Sequence, residues 1–242
     1  MTSSTRSDSL PVLCSAWRLA ALLLAFFVLG GPVWVQTAAA AAVVAGAWSA
    51  TGDLQMDVWM HTTTLLSDGR VLATGGRHTG GNLPVAQIYD PESGTWSLTG
   101  DPAISRGAHT ATLLRDGRVL VAGGSLTEGI YVGSAEVYDP ASGTWSPTGS
   151  LSRTRLLHTA TLLPDGRVLV VGGTTNTIDV LNTAEVYDPA TGTWSPAASL
   201  NARRTAHTAT LLPDGRVLVA GGQALNGFFP RRAEIYDPAT GT

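Results

Sequence analysis

A repeat constrains this chain more than any other feature. The string HT(T/A)TLL begins at His61, His109, His158 and His207, at steps of 48, 49 and 49 residues. The glycine pairs Gly75-Gly76, Gly123-Gly124, Gly172-Gly173 and Gly221-Gly222 keep those steps, as do the tryptophans Trp48, Trp96, Trp145 and Trp194. Tyr89, Tyr138, Tyr187 and Tyr236 recur every 49 residues. Self-similarity at a fixed period near 50 marks units that cannot bury their apolar surface alone and must stack on one another.

Each unit reads as four short strands. HTATLL alternates Thr with other β-compatible residues and forms strand a. The tetrads SDGR, RDGR and PDGR then set Asp-Gly where a tight hairpin requires positive φ, at Asp68-Gly69, Asp116-Gly117, Asp165-Gly166 and Asp214-Gly215. Strand b, RVLVAGG, is apolar without a break, which predicts a strand covered on both faces. Strand c is AEVYD or a close variant. DPASGT or DPATGT makes the next turn, and Trp opens strand d. Nothing in these segments has a helical period. The fold class is therefore all-β, a β-propeller of four-stranded antiparallel blades with four repeats visible.

A glycine doublet, then Tyr, then Trp at fixed separation resembles the kelch motif, and the resemblance covers residues 48–242, essentially everything after the N-terminal segment. The register at the two ends is uneven: a lone strand d is expected at Trp48, and the last unit stops at Thr242, where the next Trp would follow. Pairing the Trp48 strand with the last blade would close a ring of four. Kelch propellers usually have six or seven blades, so the expectation is a chain truncated at 242 that forms part of a larger propeller.

The N-terminus has the plan of a secretory signal: a polar stretch with Arg6 and Arg18, an apolar run from Leu19 to Val35, and a small-residue stretch around Ala38 to Ala42. Residues 1–40 are accordingly read as a signal peptide and residues 41–242 as the propeller. Cleavage predicts secretion to the periplasm, cell surface or medium, with no stable membrane insertion afterwards; an uncleaved anchor is the rival reading. Removal of residues 1–40 takes away the only cysteine, Cys14, so no disulfide is available to the remainder. It leaves 13 arginines against 17 acidic residues, a balance that lacks the basic surface needed for nucleic acid.

Residues repeated in every blade are explained by the blade, so the repeat histidines are read as structural and no metal or cofactor is assigned. Arg70, Arg118, Arg167 and Arg216 follow the hairpin turns, and cross-strand pairing with Glu136, Glu185 and Glu234 is expected of them. In a four-strand meander the a-b and c-d turns emerge on one side and the b-c and d-a connections on the other. The first side is nearly invariant from unit to unit. The second carries RHTGGNLPV, SLTEGIYVGS, TTNTIDVLNT and QALNGFFPRR, and variable loops on a rigid frame are where binding sits.

Candidate ligand-binding residues on that second side are Arg106, Arg155 and Arg204, each three residues before a repeat His, with Val58 at the matching place in the first unit. Trp59, Tyr131, Phe228, Phe229, Arg231 and Arg232 join them because the repeat does not require them. The three arginines resemble the kelch family's Arg at the entry to the innermost strand, which in some members meets acidic ligands; a structural Arg bonded to loop carbonyls is the alternative.

Two functions follow. One is a non-catalytic module that binds a protein or carbohydrate ligand through the b-c and d-a loops. The other is the propeller portion of an oxidase that resembles galactose oxidase. That copper-radical chemistry needs a Tyr crosslinked to Cys with Tyr and His ligands, and the only Cys precedes the propeller. Its catalytic residues would have to lie beyond residue 242. No nucleophile elbow, HExxH or phosphate-binding loop is present, so no catalytic residue is assigned.

Overall fold

The computed structural model describes residues 46–242 except 80, 128 and 176–178, and the expected signal segment lies outside them. Ser49–Thr242 form one compact unit. The first blade comprises Thr62–Leu65, Val71–Thr74, Ala86–Asp90 and Thr95–Leu98 as strands a to d. The second comprises Thr110–Leu113, Val119–Ala122, Ala135–Asp139 and Thr144–Thr148. The third comprises Thr159–Leu162, Val168–Val171, Ala184–Asp188 and Thr193–Ala197. The fourth has three strands, Thr208–Leu211, Val217–Ala220 and Glu234–Tyr236. Every pairing within a blade is antiparallel between sequence neighbours. The blades form a propeller, strand a of each lying against strand a of the next.

The alternation of strand residues decides the stacking. In strands b and c one set of side chains packs forward and the other backward: Leu72 and Ile88 of blade 1 meet Val119, Val121 and Tyr138 of blade 2. Leu120 and Val137 meet Val168, Val170 and Tyr187 in the same way, and Leu169 and Val186 meet Val217 and Val219. Strand b of blades 2 and 3 is therefore buried along its whole length, as its unbroken apolar run predicts. The Tyr of strand c packs on the Trp of strand d at 5.0–5.1 Å between ring centroids.

Polar bonds cross each seam at fixed places. The Tyr138 hydroxyl meets Thr99 Oγ1 at 2.7 Å and that of Tyr187 meets Thr148 Oγ1 at 2.8 Å. Trp145 Nε1 donates to the Gly100 carbonyl and Trp194 Nε1 to that of Gly149, at 2.6 and 2.7 Å. The glycine doublet is explained here too. A Cβ on Gly123 would stand 2.6 Å from the Arg155 carbonyl oxygen, so the next d-a connection passes too close for any side chain.

Two expectations are corrected. No strand forms at Trp48, which is fully exposed: strand d is held by pairing with the strand c before it, and no such strand precedes Trp48 among the described residues. Arg70, Arg118, Arg167 and Arg216 do not reach the strand-c glutamates. Each closes on the aspartate two residues earlier in its own turn, at 2.6–2.7 Å, and the glutamates are held by other arginines. No helix among the described residues is long and apolar enough to cross a membrane.

Candidate functional site

The d-a connections run between the b-c loops and carry four of the nine candidate residues, Trp59, Arg106, Arg155 and Arg204. Arg106, Arg155 and Arg204 are 0–1% exposed. The Arg155 guanidinium donates to the carbonyls of Gly172 and Thr183 and to Glu185 at 2.6 Å. Arg106 does the same with Gly123, Ser134 and Glu136, and Arg204 with Gly221, Arg232 and Glu234. The glutamates also accept from backbone N–H groups of the connection, at Ala103, Ser152 and Asn201.

Burial draws the Arg106 and Arg155 pKa values down, and the partner glutamate opposes it. Burial would raise Glu234, but the N–H of Asn201 and the guanidinium of Arg204 outweigh it and hold it low. The expectation that these arginines meet a ligand is therefore corrected. They are enclosed, and their terminal guanidinium nitrogens are spent on loop carbonyls and on one carboxylate each, while the buried Nε of each has no hydrogen-bond partner among the described residues. Where the first unit has Val58 in place of Arg, strand c has the buried neutral Gln87 in place of Glu.

The histidines that begin strand a link the blades near the axis. His109 Nε2 lies 2.9 Å from Thr62 Oγ1, His158 Nε2 2.9 Å from Thr110 Oγ1, and His207 Nε2 3.0 Å from Thr159 Oγ1. Burial pushes His109 down to about 3 and His207 to about 4, and holds His158 well below the ordinary range; the neighbouring arginine adds to each shift. No three His, Cys, Asp or Glu side chains converge as metal ligands among the described residues.

Just before each histidine the backbone turns left-handed at a residue that is not glycine: Met60, Ala108, Leu157 and Ala206, with φ between 51° and 59°. Ala108 N–H donates to the Met60 carbonyl, Leu157 to Ala108 and Ala206 to Leu157. A chain of main-chain bonds thus passes from blade to blade, and it offsets the strain of a conformation that such residues rarely adopt. It also leaves Met60 and Leu157 49% and 42% exposed. Their exposure was not legible in the sequence, because no local motif announces a left-handed Met or Leu.

The remaining candidates divide by loop. Trp59 is 47% exposed and exchanges backbone hydrogen bonds with Arg77. Tyr131 is half-buried in a short hairpin of Ser125–Thr127 and Ile130–Tyr131, whose Ile130 is 53% exposed. Phe228 and Phe229 follow a single 3-10 turn, Leu225–Gly227, and are 63% and 65% exposed; Arg231 and Arg232 beyond them are also exposed. Trp59, Tyr131, Phe228, Phe229, Arg231 and Arg232 thus share one side of the propeller but belong to three different blades. Ile130 was missed because a lone Ile in a Gly-rich loop carries no pattern.

The Kelch motif model matches residues 106–152 and 155–201, the second and third repeats with the connections that lead into them. Among solved structures the chain is similar to a novel fungal alcohol oxidase with catalytic diversity among the AA5 family, in complex with copper, at 21% identity and a TM-score of 0.51. The match covers 78% of this chain and 53% of that one, so the chain spans about half the length of that enzyme. At such identity the likeness bears on fold alone. No curated protein matches the chain. Four blades that share their His, Gly-Gly and Tyr positions, with the Arg in three of them and the Trp in three, and the motif match on two, lead to one conclusion: this is a kelch-repeat β-propeller protein.

Proposed function

We propose that the chain is a secreted, non-catalytic interaction module that binds a protein or carbohydrate through its b-c and d-a loops. One observation carries this reading. Trp59, Met60, Ile130, Leu157, Phe228 and Phe229 are each 42–65% exposed and all lie in those loops, while the other exposed large apolar residues of the blades, Leu65, Leu98, Leu211 and Ile235, lie in strands. Large apolar groups left in water on one side of a rigid frame favour a partner that covers them.

The test uses the chain carrying a fluorescent label and intact cells of the native host as the probe. The wild type should bind the cell surface. A variant with Trp59, Leu157 and Phe228 changed to Ser should lose most of that binding, and one with the exposed c-d turn residues Ala141 and Ala190 changed to Ser should keep it. Equal binding by all three would overturn the proposal. The intact mass of the secreted protein bears on export: loss of about residues 1–40 supports it, and a retained N-terminus speaks against it.

The copper-oxidase alternative is favoured by fold likeness to the fungal enzyme alone. The described residues do not fit its metal: His109, His158 and His207 each hold a seam threonine, and no cysteine lies after Cys14. That chemistry would require residues beyond this sequence, and an intact mass well above that of residues 41–242 would reopen it.

A further inference from the structure

Charge divides the propeller into two unlike sides. The a-b and c-d turns hold nine carboxylates against five arginines. Asp53 and Asp101 lie beside those turns, since each follows a glycine set against one of them: Gly52 at Gly94 and Gly100 at Gly143. The three enclosed Arg–Glu pairs cancel. What remains, in the b-c loops and d-a connections, is Arg77, Arg153, Arg203, Arg231 and Arg232 against Asp57, Glu128 and Asp179. Although residues 41–242 are acidic overall, with 13 arginines against 17 carboxylates, their loop side keeps a positive surplus.

That surplus stands beside the apolar tips. Arg153 and Arg203, their side chains 50% and 51% exposed, reach the one carboxylate of Asp179 at 3.0 and 3.2 Å. Leu157 lies four residues after Arg153, and its carbonyl accepts the N–H of Ala206, three residues after Arg203. Both connections therefore meet at this exposed leucine. In blade 4 the exposed Arg231 and Arg232 follow Phe229 by two and three residues, and in blade 1 Arg77 exchanges backbone bonds with Trp59. A guanidinium carries five N–H donors, so a single aspartate shared by Arg153 and Arg203 leaves donors on both for a further carboxylate.

We infer that the partner of the loop side is a protein with an acidic docking surface, carboxylates set among apolar side chains. This rests on the reading of the loop side as the interaction surface, and narrows it. Charge complementarity selects the sign: an acidic surface is drawn to the loop side and repelled by the turn side, so the field also orients the encounter. The apolar tips select the class. An acidic polysaccharide offers carboxylates to the arginines, but Met60, Ile130 and Leu157 have no aromatic face on which a sugar ring could stack. A protein surface supplies carboxylates for the arginines and apolar side chains for the tips. Asp179 is then an internal competitor, holding part of the charge of Arg153 and Arg203 that the partner's carboxylates would meet.

The labelled whole chain tests this on cells of the native host, intact or treated with protease, at low and high salt. Wild-type binding should weaken with salt and be lost on protease-treated cells. Arg153→Ser with Arg203→Ser should weaken it by about tenfold or more. Arg115→Ser with Arg118→Ser makes the same change of net charge on the turn side and should bind as the wild type. Asp179→Asn should bind severalfold more tightly, a gain that a merely structural ion pair would not give. Unchanged thermal melting checks that the variants fold. Binding indifferent to salt and to the loss of Arg153 and Arg203, weaker binding by Asp179→Asn, or full binding to protease-treated cells would overturn the inference, the last by pointing to an acidic glycan or lipid. If one of these results comes with lost binding by the Trp59, Leu157 and Phe228 variant, the inference falls and the interaction reading stands; if that variant binds as wild type, both fall.

Discussion

At the residue scale the most instructive contrast is between blades that have a buried ion pair and the one that does not. Arg155 and Glu185 are enclosed at 2.6 Å, and removing one partner of such a pair strands the other charge in a poor solvent. Blade 1 removes both at once, with Val58 and Gln87, and Gln87 is buried with the Gln55 N–H bonded to its Oε1 at 2.7 Å. The expected outcome is therefore asymmetric. Arg155→Met should cost about 3–5 kcal/mol in urea unfolding, and adding Glu185→Gln should return a substantial part of that loss. A double variant no better than the single one would mean that the guanidinium acts mainly through the Gly172 and Thr183 carbonyls. The sequence places Arg at this position but leaves its role open, because an Arg three residues before a repeat His serves a ligand or a loop equally well. Only the depth of the connection, fixed by contacts with Gly172 and Glu185 far along the chain, decides between them.

At the scale of the element, the strands and their turns were legible because each is dictated locally. Asp-Gly sets the hairpin, and Gly117 has φ 86°; the apolar run of strand b reads as burial on both faces. What joins one blade to the next was not legible, since His158 meets Thr110 across 48 residues. That bond makes the seams sensitive to acid. His109, His158 and His207 are held neutral in the fold, with pKa values below the ordinary 6.5. The unfolded chain binds their protons first, so their contribution is complete above about pH 6.5 and is lost as pH falls toward the folded values. At pH 5 the loss amounts to about 2 kcal/mol for each histidine whose folded pKa lies well below that pH. The turn aspartates start from 3.8 and are lowered further, so the window between about pH 6.5 and 4.5 belongs to the histidines. A His158→Gln variant should lose less stability than the wild type between pH 7 and pH 5. Equal losses in thermal melts at the two values would remove the seam histidines as the cause.

For the whole molecule, a stack of repeats is stabilised by interfaces between neighbours as much as by each repeat, so position in the stack governs local stability. Blades 2 and 3 are packed on both faces: Val137 and Val186 are 6% and 4% exposed. Ile235, at the matching place in blade 4, is 48% exposed, and Leu218, which pairs with it, is only half-buried where Leu120 and Leu169 are fully buried. The repeat period announced the propeller, but it could not announce this gradient, because the same AEVYD-type strand is core in one blade and surface in another. Where the backward face of blade 1 would otherwise be bare, Gly52 and Thr51 reach Gly94 and Tyr89 as later connections do in their own blades, so Ala73 is 3% exposed. The two ends therefore differ. Amide hydrogen exchange should find Val119–Ala122 and Val168–Val171 slowest, Val71–Thr74 close behind, and Val217–Ala220 fastest among the strands b, since opening blade 4 sacrifices one interface where opening an inner blade sacrifices two. Protection of Val217–Ala220 equal to that of Val168–Val171 would mean that the Ile235 face is covered in solution. Loss of that protection in an Ile235→Asp variant would then locate the cover on strand c of blade 4.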